Sequence, residues 1–291
     1  MRNQKNRRDF LKNSAMLSSG VILGQAHSLH AGPPKKTTAP ANETLTTLHK
    51  LRTIHGNFTD QAIPDDQIEQ ILQASIRAAN SSNMQTYSIV VVKDREKMKR
   101  VCQYQGGCML LYCVDYNRIK ASAASLGHTY YPDSIGSLVV AGINTAFAAQ
   151  TAVIAARSLG LDCLTTNGIH RGNMQRVWEI LDLPKEHCFP LIAVVIGYPT
   201  QEPDHLRGRL SDVGVIHRES YHQPTPEELE TVTRQYDNKE KHIALNDSWG
   251  QQGHKHYLDW LFKVWLKGAA KPTEKETQML RMLKQCGFVE A

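Results

Sequence analysis

Ser137-Leu-Val-Val-Ala-Gly-Ile-Asn-Thr-Ala-Phe-Ala-Ala-Gln-Thr-Ala-Val-Ile-Ala-Ala-Arg-Ser-Leu159 is the stretch whose reading decides the fold class. Leu138, Ala141, Gly142, Thr145, Ala149, Ala152, Val153 and Ala156 mark an apolar face at helical spacing. With the small side chains between them they predict a long helix packed closely on all sides. Its length would suit a membrane span, but Asn144, Thr145, Gln150, Thr151 and Arg157 favour a buried core helix, so no stable membrane span is expected.

Short β-branched or apolar runs flank this helix: Ser88 to Lys93, Met109 to Val114, Asp162 to Thr165, and Phe189 to Ile196 ending at Gly197-Tyr198-Pro199. Helical spacing recurs at Leu45, Leu48 and Leu51. It recurs again at Ile68, Ile71, Leu72, Ser75, Ile76 and Ala79, after the helix opening Pro64-Asp65-Asp66. Met174 to Leu181 reads as a helix closed by Asp182-Leu183-Pro184. Helices and strands alternate without strict βαβ repetition, so the class is α+β, a sheet covered by helices. Beyond Pro224 the apolar signal thins until Tyr257 to Leu266 and Thr277 to Leu283, which reads as a helical C-terminal extension.

At the other end, Arg7-Arg8-Asp9-Phe10-Leu11-Lys12 is a basic segment, followed by a modestly apolar run from Ser14 to Gly24 and small residues at Ala26, Ser28 and Ala31. That order is a secretory signal, with the paired arginines of the twin-arginine (Tat) type, and implies an exported, periplasmic protein; without a functional signal it would be cytoplasmic. The expected organisation is a signal peptide at 1–31, a linker at 32–43, a domain at 44–223 and its helical extension at 224–291. Of 34 Lys+Arg and 28 Asp+Glu, seven and one fall in Met1 to Lys36, leaving 27 of each. The basic balance therefore belongs to the leader, and a nucleic-acid partner is not expected. Cys102, Cys108, Cys113, Cys163, Cys188 and Cys286 show no CxxC spacing and sit in apolar context, so they read as buried small side chains and no metal site is expected.

Phosphate-loop, dinucleotide, zinc-protease and serine-hydrolase motifs are missing from the sequence. Three polar segments stand out instead: Leu51-Arg52-Thr53-Ile54-His55, Asn80-Ser81-Ser82-Asn83-Met84-Gln85, and Arg207-Gly208-Arg209. Guanidinium and hydroxyl groups suit a phosphate, amides and hydroxyls suit a ribityl chain, and polar groups suit the pyrimidine edge of a flavin ring. Taken singly, Arg207 and Arg209 also fit an exposed polar loop, and Asn83, Ser81 or Ser82 a turn cap.

Together these segments resemble the nitroreductase family of FMN oxidoreductases, from about Leu48 to Tyr221. Leu51 to His55 is similar to the family's opening Arg-Arg-Ser-x-Arg, and Asn80 to Tyr87 to its Pro-Ser-x-x-Asn-x-Gln-Pro-Trp. Ala148-Ala149-Gln150 to Gly160-Leu161, Val177 to Pro184, and Gly197-Tyr198-Pro199 with Arg207-Gly208-Arg209 continue the match. Leu51, His55 and Thr86-Tyr87 depart from the family pattern.

The resemblance implies a mainly antiparallel sheet, FMN as cofactor, and a homodimer. It places Arg52, Thr53, Arg207 and Arg209 at the phosphate and His55 near the ribityl or pyrimidine side. Ser81, Ser82, Asn83 and Gln85 would lie at the ribityl chain or ring, and the backbone of Thr166, Asn167 and Gly168 beside the reactive ring nitrogen. The implied function is ping-pong electron transfer to a small-molecule acceptor such as a nitroaromatic or quinone. The donor stays open, being NAD(P)H only if the protein is cytoplasmic. Dehalogenation, ene reduction, flavin chemistry, or flavin binding without turnover are the alternatives.

Overall fold

The structure, a computed structural model, describes residues 42–266 and 274–290. The predicted leader and all but the last two residues of the predicted linker lie outside the described residues. The chain runs through α1 (Glu43–His49), α2 (Asp65–Ser75), β1 (Tyr87–Val92), α3 (Arg95–Cys102), β2 (Cys108–Asp115), α4 (Asn117–Ser125) and α5 (Ile135–Ser158). It continues as β3 (Asp162–Thr166), α6 (Gln175–Leu181), β4 (Cys188–Gly197), α7 (Pro226–Asp237), α8 (Tyr257–Trp260) and α9 (Glu274–Gln285). Helix starts carry local signals. The Asn42 side chain accepts from Leu45 N–H, Asp94 from Lys97 N–H, and Thr225 and Glu228 close a capping box ahead of Pro226.

The four strands form one antiparallel sheet in the order β1-β2-β4-β3. β2 is buried on both faces, which explains its nearly continuous apolar run. Met109, Leu111 and Cys113 face one core, and Cys108, Leu110 and Tyr112 the other. The second face is covered by α2 through Ile68 and Ile71 and by α5 through Ala148, Ala149, Ala152 and Ala156. The first is covered by Met98 and Val101 of α3, Val177 and Trp178 of α6, and the C-terminal residues Met282, Cys286 and Phe288. All six cysteines are buried and unbridged.

One expectation changes. The long helix is not packed on all sides. Ala141, Asn144, Thr145 and Ala148 face the sheet, while Ile135, Val139, Ile143 and Phe147, four residues apart, form an apolar stripe 49–59% exposed. A helix apolar all round has no sequence signal separating the two sides. By length and composition alone it could cross a membrane, but its small-residue face is bound to the sheet. Beyond Pro224 lies the segment expected as a helical C-terminal extension. It contains α7, its own cluster of Ala244, Trp249, Tyr257 and Trp260, and a return into the main core through Phe288. Trp178 and Trp260 are buried, whereas Phe147 and Trp265 are exposed.

Candidate active site

Leu51–His55 lies along the outer edge of β3. Thr53 forms a parallel bridge with Cys163, and the Ile54 N–H donates to the Cys163 carbonyl at 3.1 Å. Ile54 is buried, which leaves Thr53 and His55 exposed on either side of it. The segment is thereby held beside the strand that leads into Thr166-Asn167-Gly168.

Arg52 is committed elsewhere. Its Nε donates to Asp162 Oδ1 at 2.9 Å, its Nη2 to Asp162 Oδ2 at 2.6 Å and its Nη1 to Glu202 at 2.6 Å. Arg157 donates to the same Asp162 at 3.0 Å. The hydrogen bonds to Asp162 and then Glu202 raise the pKa of Arg52, and Arg52 in turn lowers that of Glu202. The sequence placed Arg52 at a phosphate; the structure gives its guanidinium two carboxylates of the protein itself.

Gly168 sits where no side chain fits. Its N–H donates to Thr166 Oγ1 at 3.0 Å, and a Cβ at this position would lie 2.1 Å from the Cys102 carbonyl oxygen. Arg176 ties the same neighbourhood together by donating to the carbonyls of Val101 and Gly168, both at 3.1 Å, and of Arg100 at 3.1 Å. Its partners are backbone carbonyls, and burial lowers its pKa.

The Ser81–Gln85 loop is strained. Ser82, Asn83 and Gln85 have φ of 51°, 53° and 46°, the left-handed region that side chains disfavour. Each such residue costs on the order of 1 kcal/mol or more and persists only where its surroundings impose it. Here Asn144, buried in α5, imposes it. Its Oδ1 accepts from Ser81 N–H at 3.0 Å and its Nδ2 donates to Thr86 Oγ1 at 2.9 Å. Asn80 Oδ1 accepts from Gln85 N–H at 3.0 Å, and Arg118 donates to the Gln85 carbonyl. Asn144→Leu keeps the branched outline but removes both bonds and leaves Thr86 Oγ1, buried, without its donor. A loss of about 2–3 kcal/mol is expected in denaturant unfolding, with release of the loop; a loss below about 0.5 kcal/mol would contradict the role.

Arg207-Gly208-Arg209 is docked on the C-terminal region. Gly208 N–H donates to Lys241 O at 3.0 Å, and a Cβ on Gly208 would approach that oxygen to 2.1 Å. Arg207 donates to the Ala244 carbonyl and Arg209 to those of Arg207 and Gly208, at 3.0 and 2.9 Å; both side chains remain exposed.

Among the described residues, then, the first segment and Thr166–Gly168 are joined through β3, whereas no hydrogen bond joins either to the Ser81–Gln85 loop or to Arg207 and Arg209. Sequence reading missed Asp162, Asn144, Arg118 and Arg176. Asn144 alone carried a signal, as an amide in an Ala-rich apolar helix.

A sequence model described as the nitroreductase family matches residues 50–124. Over 209 residues the chain is 32% identical to a Bacillus subtilis (strain 168) protein named FMN reductase (NAD(P)H), covering 68% of this chain and 81% of that relative. The chain belongs to the nitroreductase family. Its fold is shared with a solved B. subtilis nitroreductase at a TM-score of 0.72 and 25% identity, over 84% of this chain and 98% of the other. A Vibrio harveyi NADPH:FMN oxidoreductase solved with NAD+ gives 0.69 and 25%, over 86% and 100%. The nitroreductase α+β fold, with its antiparallel sheet between helical layers, is therefore the expected one. The family match begins at the Leu51–His55 segment and extends through the strained loop.

Proposed function

We propose that this member of the nitroreductase family is an FMN-dependent oxidoreductase that passes electrons to a small conjugated acceptor. The observation that carries the reading is the strained Ser81–Gln85 loop, imposed by a buried amide and presenting exposed polar side chains in the segment that the family match spans. The fit to FMN rests on the donor set. Thr53 Oγ1, the His55 ring and the Ser81 and Ser82 hydroxyls have no hydrogen-bond partner among the described residues, and Arg207 and Arg209 are exposed cations with donors to spare.

In this reading Arg207, Arg209 and Thr53 bind the phosphate, and His55 lies at the ribityl or pyrimidine side. Ser81, Ser82, Asn83 and Gln85 take up the ribityl chain or ring, and the Thr166–Gly168 backbone lies beside the reactive ring nitrogen. FMN, when bound, supplies the hydride chemistry. The protein's residues would orient it and set hydrogen-bonding groups at its pyrimidine edge, which stabilise negative charge there. No protein nucleophile is needed, because FMN would supply the electrons that the acceptor takes up.

The exposed apolar stripe Ile135-Val139-Ile143-Phe147, with Phe262 and Trp265, supports a homodimer. The Arg7-Arg8 leader supports export by the twin-arginine route to the periplasm, which suits a protein that folds around its cofactor before leaving the cytoplasm. NAD(P)H is the donor in the names of the relatives; an exported enzyme needs another. Anaerobic mixing of the FMN-loaded protein with NADPH, NADH or a chemically reduced low-potential dye tests the reading. Rapid bleaching by one donor and recovery with a nitroaromatic or quinone is expected. Bound FMN that no donor reduces would instead identify a flavin-binding protein without turnover.

A further inference from the structure

We propose that Asp162 acts as an internal anion at Arg52 and so sets how far this chain prefers a phosphorylated flavin over the same flavin without its phosphate. The inference rests on the flavin reading above. Arg52 is the least exposed of the cations that the family resemblance sets at the phosphate, its side chain only 10% accessible. One edge of its planar guanidinium, Nε and Nη2, meets both oxygens of Asp162, at 2.9 and 2.6 Å, the two-point geometry that a guanidinium also uses for phosphate. Glu202 takes the remaining side at 2.6 Å.

Asp162 cannot step aside to make room. It is 1% accessible, belongs to β3 where it pairs with Gly197, and is held from a second direction by Arg157 at 3.0 Å. Two guanidinium groups and two carboxylates sum to zero charge. A phosphate arriving at the neighbouring Thr53–His55 segment meets a neutral cluster where a free Arg52 would have presented a cation. Discrimination by the phosphate then falls to Arg207, Arg209 and Thr53. Arg52 becomes a positioning residue that fixes the Leu51–His55 segment to β3, and Asp162 the residue that decides specificity.

The test compares FMN and riboflavin binding to the flavin-stripped full chain by fluorescence titration, in the native protein, Asp162→Asn and Glu202→Gln. Removing the Asp162 charge while keeping its shape is expected to raise the FMN-to-riboflavin affinity ratio by about tenfold or more, the worth of one charge-assisted hydrogen bond. Glu202 is 76% exposed, so its removal is expected to raise the ratio by only about threefold. Folding is checked by circular dichroism and melting; if Asp162→Asn does not fold, Glu202→Gln decides. A ratio unchanged or lowered in the folded variants overturns the inference while flavin binding itself stands. Failure of the native chain to bind either flavin overturns the flavin reading and this inference with it.

Discussion

Gly168→Ala is expected to cost at least about 3 kcal/mol of stability and to abolish flavin binding. The position is limited by space, because the added Cβ would lie 2.1 Å from the Cys102 carbonyl oxygen and 3.1 Å from its carbon. Relief needs a backbone shift of about an ångström between two segments that have little freedom, and overpacking of this kind exceeds the usual 1–3 kcal/mol. Cys102 ends α3 in a fully buried position, and Arg176 links the Val101 and Gly168 carbonyls directly. The strain therefore falls on the Thr166–Gly168 turn, which the proposed function sets beside the reactive ring. Denaturant unfolding with an unchanged m-value reads the stability, and flavin fluorescence reads the binding. A stable variant that still binds flavin would show that the turn is neither tight nor part of the site.

Phe288→Ala should destabilise the protein by about 3–5 kcal/mol, although it lies close to the end of the chain. Phe288 is fully buried, tilted on Tyr116 with ring centroids 6.3 Å apart and set edge-on to His187 at 6.0 Å. The backbone around it is equally engaged. His187 N–H donates to Cys286 O at 2.9 Å, and Gly287 turns at φ +78°, where an added Cβ would come 3.2 Å from His187 Nε2. His187 itself, 5% exposed, bonds Asp133 at 2.5 Å and Lys120 at 2.9 Å. Losing the ring opens a cavity where the C-terminus, β4 and the start of α5 meet, and should lower Tm by about 10 °C in a chain of this size. A change below about 1 kcal/mol would mean that the terminal segment is peripheral to the domain.

The sheet was legible because of where its strands lie. β2 and β4 are buried on both faces, so their sequences read as unbroken apolar runs that few other elements produce. α3 escaped because Arg95, Glu96, Lys97, Lys99 and Arg100 leave only Met98, Val101 and Cys102 as an apolar signal. α5 was legible as a helix but not in its orientation, since Val139 and Ile143 on the open side are as apolar as the residues on the sheet. At the site, the polar loop after α2 was visible as composition, while its three left-handed residues were not. Arg52 shows the limit most sharply. Its partner Asp162 is 110 residues away in the chain and enters only when the first segment aligns with β3. Residue type therefore marked a cation, and tertiary pairing decided what that cation does.

The flavin claim is tested most directly by titrating the flavin-stripped full chain with FMN and following the absorbance and fluorescence of the flavin. Saturable, stoichiometric binding with a perturbed flavin spectrum, weakened by Ser82→Ala with Asn83→Ala and by Arg207→Gln with Arg209→Gln, is the predicted result. A folded chain that leaves the FMN spectrum unchanged at micromolar concentrations would contradict it.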